Sequence, residues 1–88
     1  MELELSPQAR ARVLGTYVAG PMKLTIHEEG PALIALLEGH PPVEIFAETP
    51  DLFFLKVVEA TLEFGAGATA PTVTLRQDGN VIEFARQP

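Results

Sequence analysis

The sequence predicts an all-β fold: an antiparallel up-and-down meander of about eight strands that forms a small barrel or half-barrel, with a short N-terminal helix. Three observations lead to this prediction. Apolar and polar residues alternate in short runs, and turn residues separate those runs. The links between runs are also too short for parallel crossovers, which need a dozen or more residues.

The helix is predicted over residues 6–12. Ser6 can cap its free N–H groups and Pro7 fits the first helical position. A helix of two turns needs tertiary packing to persist. We therefore expect it to plug one end of the barrel, with Leu3 and Leu5 docking on the surface that it covers.

The strands follow the helix without a long interruption. The sequence 22–27 alternates strictly between apolar and polar residues, which is typical of a strand with one buried face. Gln77-Asp78-Gly79-Asn80 predicts a hairpin, because a type I′ turn needs the positive φ that Asp and Gly tolerate. Gly15 interrupts a strand alone and indicates a bulge or a close backbone approach. The predicted strands are 13–19, 22–28, 32–38, 43–48, 52–57, 59–64, 72–77 and 80–86.

Length and composition narrow the class of protein. Eighty-eight residues make one domain, which spans 1–88. Twelve acidic residues against six scattered basic ones argue against nucleic-acid and anionic-membrane partners, which need clustered Lys and Arg. The residues before the predicted helix have neither a basic run nor an apolar run, so we expect no signal peptide in them. The absence of cysteine fits any compartment, so localisation stays open.

Catalytic groups are scarce. Ser6 is the only serine and is better explained as a helix cap, and there is no cysteine nucleophile. His27-Glu28-Glu29 lacks the second histidine that a metalloprotease motif requires. The carboxylates Glu59 and Glu63 share the polar face of one strand, where solvation explains them. We therefore expect no enzyme activity, no bound metal and no cofactor.

Two segments, 31–37 and 52–58, are apolar on both faces, although one face of a strand in a simple barrel points outward. The surplus is either buried under the N-terminal segment or a curled neighbouring strand, or it forms an exposed patch that docks another domain or subunit. For docking, the candidate residues are Ile34, Leu36, Phe46, Phe53 and Leu55.

The same apolar residues have another use, because a barrel of about eight strands can enclose one small apolar ligand. The five phenylalanines are large enough to fill such an interior instead. A cavity inside the barrel would favour ligand binding, and a packed interior would argue against it.

Several segments resemble a known family. Leu14-Gly15-Thr16-Tyr17, the strand 21–26, Leu37-Glu38-Gly39-His40-Pro41, the segments 45–49 and 53–56, and Gln77-Asp78-Gly79 occur in the order found in a small domain of unknown function. That domain is found at the C-terminus of serine β-lactamase-like and penicillin-binding-protein-like hydrolases. His40 stands where Gln is usual and Asp78 where Asn is usual.

The resemblance implies a lipocalin-like barrel or half-barrel that serves as an accessory to a separate hydrolase domain, in a family whose members are often exported. The resulting hypothesis is a non-catalytic accessory module that packs on the parent hydrolase domain or self-associates as a homodimer. The alternative is a stand-alone, lipocalin-like binder of a small apolar ligand.

Overall fold

A computed structural model describes residues 4–67 and 69–87. These residues form one short helix and eight antiparallel strands that close into a barrel. The elements in chain order are α1 (Pro7–Val13), β1 (Gly15–Ala19), β2 (Met22–Glu29), β3 (Ala32–Leu37), β4 (Val43–Ala47), β5 (Leu52–Leu55), β6 (Ala60–Phe64), β7 (Thr72–Gln77) and β8 (Asn80–Arg86).

Each strand pairs with its neighbours along the chain, so the predicted up-and-down meander is confirmed. The barrel closes between the first and last strands, where Tyr17 pairs with Arg86 and Val18 with Ala85. This seam has only two residue pairs in register, whereas β7 and β8 share six. Closure removes the free sheet edges that would otherwise pair with other chains.

The helix α1 begins at Pro7, after the predicted cap, and ends one residue later than predicted. Ser6 is its N-cap, and the backbone N–H of Ala9 donates to the Ser6 hydroxyl at 3.2 Å. Val13, which the sequence assigned to the first strand, ends the helix and is fully buried. Leu5 packs against the core as expected, and Leu3 lies outside the described residues.

Two backbone predictions concern glycine. Asp78 and Gly79 both adopt positive φ, 51° and 80°, and Gln77 pairs with Asn80, as the predicted type I′ hairpin requires. Gly15 has a φ of 140°, which side chains rarely allow, and a Cβ there would collide with the guanidinium of Arg86. The close approach at Gly15 therefore comes from a side chain, and the residue pairs in regular register with Ile26.

The two ends of the barrel differ. At one end, which we call the closed end, α1 lies against the turns that follow β2, β4 and β6. At the other end, the open end, the connections are the turns after β1, β3, β5 and β7. The predicted strand 52–57 stops at Leu55, so Val57 and Val58 belong to one of these open-end turns.

Candidate functional site

Arginine side chains fasten the helix over the closed end. The guanidinium of Arg12 donates to the carbonyl oxygens of Gly65, Gly67 and Pro50, and it lies 3.1 Å from the carboxylate of Asp51. The backbone N–H of Ala70 donates to the Arg12 carbonyl at 2.9 Å. The helix is therefore tied to two separate loops as well as to the core.

Arg86 reaches inward from β8 beneath the helix. Its guanidinium donates to the carbonyls of Leu14, at 2.8 Å, and Arg12, at 2.9 Å, and to the hydroxyl of Tyr17 at 2.7 Å. The Tyr17 hydroxyl in turn donates to the Val13 carbonyl at 2.8 Å. Burial raises the pKa of Tyr17 above its ordinary value of 10.0, while the charges of Arg86 and Arg12 act in the opposite direction.

Aromatic side chains fill the closed half of the interior. Phe64 packs edge-on against both Tyr17 and Phe53, with ring centroids 5.8 Å and 5.3 Å apart. Phe84 is also fully buried, and it pairs across the strands with Val73. These rings form the aromatic part of the core at the closed end.

Among the residues that the structure describes, no Phe or Tyr side chain lines the open half of the interior. A cavity of about 280 Å³ opens there between β2, β3, β4, β5, β6 and β7. Ala35 on β3 and Ala60 on β6, which are both buried, contribute small side chains to its lining. We call this space the open-end cavity; its lining residues are Leu24, Ala35, Leu37, His40, Pro41, Val43, Leu55, Val58, Ala60, Leu62, Leu75 and Gln77.

Two polar side chains reach the mouth of the open-end cavity. His40 projects from the loop between β3 and β4, and Gln77 is the last residue of β7. All other lining residues have apolar side chains. Sequence reasoning assigned no role to His40 or Gln77, because the two residues are far apart in the chain and only closure of the barrel brings them to one opening.

The five candidate docking residues fall on both sides of the barrel wall. Ile34, Leu36 and Phe46 face outward, and Leu36 is 37% exposed. Phe53 is fully buried and Leu55 lines the open-end cavity, so neither lies on the outer surface where docking was expected. The register explains the split, because Phe53 pairs with Ala47 and Leu55 with Ile45, which are core residues.

Phe54 takes the outward position that the prediction gave to its neighbours. Its ring lies 5.7 Å from that of Phe46 on the adjacent strand, and the Lys56 ammonium lies 4.1 Å from the Phe46 ring centroid. The sequence of β6 could have indicated that Phe54 faces outward, because its cross-strand partner Thr61 is polar. We call Ile34, Leu36, Phe46 and Phe54 the outer apolar patch.

The other clefts have charged residues in their lining, and the one at the closed end also includes the buried residues Leu33, Ile45, Ala47 and Phe53. One of about 320 Å³ lies beside α1 and includes Arg10 and Glu44. The guanidinium of Arg10 is held there by the Glu28 carboxylate at 2.8 Å and the Pro31 carbonyl at 2.9 Å. Two more, of about 460 and 230 Å³, adjoin the polar turn between β7 and β8.

The two histidines, for which the sequence predicts no metal binding, lie on different parts of the barrel. The His27 ring is 3.5 Å from the Glu29 carboxylate on the outer wall, whereas His40 is at the open end. Among residues 4–67 and 69–87, no group of three or more His, Cys, Asp or Glu side chains converges. No helix in the described part of the chain is long and apolar enough to cross a membrane.

No family model, curated protein or solved structure matches this chain. The resemblance to the domain associated with β-lactamase-like hydrolases therefore rests on the sequence motifs alone. Association with a hydrolase stays a prediction, and the fold is what is established: a closed, eight-stranded antiparallel barrel with one short N-terminal helix.

Proposed function

We propose that the barrel binds a small apolar molecule, or the apolar group of a larger one, in the open-end cavity. The observation that carries the proposal is the cavity itself, about 280 Å³ of space lined almost entirely by apolar side chains inside a closed barrel. Concave, mostly apolar sites with a few polar groups are typical of small-molecule binding. This is the alternative function that the sequence left open.

The distribution of large and small side chains supports this assignment. Tyr17, Phe53 and Phe84 are fully buried in the closed half, where they fill the interior. The open half has Ala35 and Ala60 at positions where larger residues would complete the core. A small barrel whose only role is structural gains stability from filling such space, since lost packing costs free energy.

The rim of the open end carries exposed apolar side chains beside its charged ones. Val57 is 74% exposed, Val58 is 42% exposed and Val81 is 64% exposed, and all three belong to turns or strand ends there. Together with Leu36, they are the exposed large hydrophobic residues of the described chain. Apolar side chains at the rim offer contacts that lower the cost of moving an apolar molecule from water into the barrel.

The proposal is tested by titrating the protein with naphthalene, whose fluorescence can be followed because the chain has no tryptophan and one tyrosine. We expect saturable binding at one site per chain. Ala35→Phe should fill the cavity and abolish binding, while Ala85→Phe, the same change at an exposed position on the outside of β8, should leave it intact. Absence of binding, or binding that survives Ala35→Phe, would contradict the proposal.

A second candidate is the accessory role predicted from the sequence, in which the domain docks on a hydrolase domain or on a second copy of itself. The outer apolar patch favours it, because Phe46 and Phe54 place two rings side by side on an outer wall. Light scattering on wild type, Ile34→Glu and Phe46→Glu tests self-association. A monomeric wild type whose solubility neither change affects would count against the homodimer.

A further inference from the structure

The chemistry of the cavity mouth restricts which ligands the open-end cavity can hold. Among its lining residues only His40 and Gln77 have polar side chains, and none is Lys, Arg, Asp or Glu. A charged group that enters a partly buried apolar site needs an opposite charge or several hydrogen bonds to offset its lost hydration. The cavity lining supplies no such opposite charge.

The side-chain amide of Gln77 lies where it can form hydrogen bonds with a neutral group of a ligand. It ends β7 on the same inward face as Leu75 and Val73, and it pairs with Ala60 and Asn80. Within the part of the chain that the structure describes, its side-chain amide has no hydrogen-bond partner. A half-buried amide of this kind offers both a donor and an acceptor to a ligand.

Cationic side chains do not line the cavity. Arg12 and Arg86 are bound to backbone carbonyls at the closed end, and the Lys56 ammonium lies over the Phe46 ring on the outer wall. The connections at the open end carry three acids, Glu38, Glu59 and Asp78, and one base, Lys56. A carboxylate or phosphate head group would therefore enter a field that is net negative, on a chain with a formal charge of −6.

We infer that the ligand is an uncharged amphiphile, an apolar body with one neutral hydrogen-bonding head group that contacts Gln77 at the mouth. The inference rests on the proposed function and names the class of ligand for the same site. An engineered cavity of about 150 Å³ holds benzene, so a space of about 280 Å³ accommodates roughly ten to twelve non-hydrogen atoms. Alcohols, ketones and amides on a two-ring or medium-chain body have this size and chemistry.

The test compares four ligands that share one apolar body: naphthalene, 2-naphthol, 2-naphthoate and 2-naphthylmethylammonium, each titrated at pH 7. We expect 2-naphthol to bind most tightly, and 2-naphthoate to bind at least about tenfold more weakly because its charge loses hydration without a partner. The ammonium compound should also bind more weakly than 2-naphthol, since the lining contains no carboxylate.

A substitution tests whether the head group of the ligand contacts Gln77. Gln77→Leu keeps the size of the side chain and removes its polar atoms, so 2-naphthol should lose its advantage over naphthalene while naphthalene still binds. Gln8→Leu makes the same change on the exposed surface of α1, at the opposite end, and should alter neither affinity. Retention of the 2-naphthol preference in Gln77→Leu would contradict the role of Gln77.

The outcomes separate the two proposals. If none of the four compounds binds, the proposed function itself fails. If naphthalene binds but 2-naphthoate or the ammonium compound binds as tightly as 2-naphthol, the cavity is a binding site and only the inference about the head group is wrong. The wild-type series gives this answer even if Gln77→Leu does not fold.

Discussion

Phe53 and Phe54 are neighbours in the chain, yet their rings lie on opposite sides of the barrel wall. Phe53 is fully buried and packs edge-on against Phe64 at 5.3 Å, whereas Phe54 lies outside, 5.7 Å from Phe46. Side chains of a strand alternate between its two faces, so one of two adjacent phenylalanines must face outward. One face of β5 therefore packs in the core and the other lies on the outer surface of the barrel.

Substitutions at these two positions should therefore differ in their effect on stability. Phe53→Ala removes a ring from the filled half of the core and should lower the free energy of unfolding by about 3–5 kcal/mol. Phe54→Ala loses an aromatic pair at a half-exposed site, which contributes about 0.5–1.5 kcal/mol. Urea unfolding measures both changes, and equal losses would contradict the assigned orientation of β5.

The attachment of α1 gives a second prediction. Arg12→Met removes the hydrogen bonds to the carbonyls of Gly65, Gly67 and Pro50, and should destabilise the fold by about 1–3 kcal/mol. Arg76→Met is the matched control, because Arg76 contacts Glu63 on the exposed outer wall and such pairs contribute about 0–1 kcal/mol. Thermal unfolding that ranks the two variants in the reverse order would contradict the role of Arg12.

Tyr17 predicts how stability depends on alkaline pH. Its pKa is raised in the folded protein, so the neutral phenol stabilises the fold fully below pH 10, and this contribution is lost as the pH rises through the folded pKa. Tyr17→Phe should be less stable than wild type at pH 7, because the Val13 carbonyl and Arg86 lose a partner. Urea unfolding at pH 7, 9 and 11 should show the difference between the two proteins shrinking above pH 10. A constant difference would contradict the raised pKa.

A side chain at position 15 should lower the stability of the fold. Gly15→Ala forces a φ of 140° on alanine and displaces the Arg86 guanidinium, so we expect a loss of about 1–3 kcal/mol from the backbone alone. Gly20→Ala is the control, since Gly20 has positive φ but open space around it, and the expected loss is about 1–2 kcal/mol. Equal effects in chemical denaturation would show that the contact with Arg86 contributes nothing.

The sequence was sufficient to predict the architecture, because the relevant signals are local. Alternation over 22–27, the Asp78-Gly79 turn and the Ser6 cap each depend on a few adjacent residues, and all three are confirmed. The order of strands then follows from the short links, which permit only antiparallel neighbours.

The site could not be predicted in the same way. In a strand that is apolar throughout, the sequence does not indicate which of the two alternating sets of residues faces inward. Leu52-Phe53-Phe54-Leu55 has no polar residue to mark a face, so the choice between Phe53 and Phe54 required the register with β4 and β6. Gln77 and His40 meet at one opening only after the barrel closes. Whether the interior is full also depends on the positions of Ala35 and Ala60, which composition does not reveal.

The most direct test of the central claim, that the open half of the barrel is a ligand site, is to map bound naphthalene by NMR of methyl-labelled protein. We expect shift changes at Leu37, Leu55 and Leu75 around the cavity, and unchanged signals from Val13 and Val73 at the closed end. Changes confined to the outer apolar patch, or no saturable change at the cavity methyls, would contradict it.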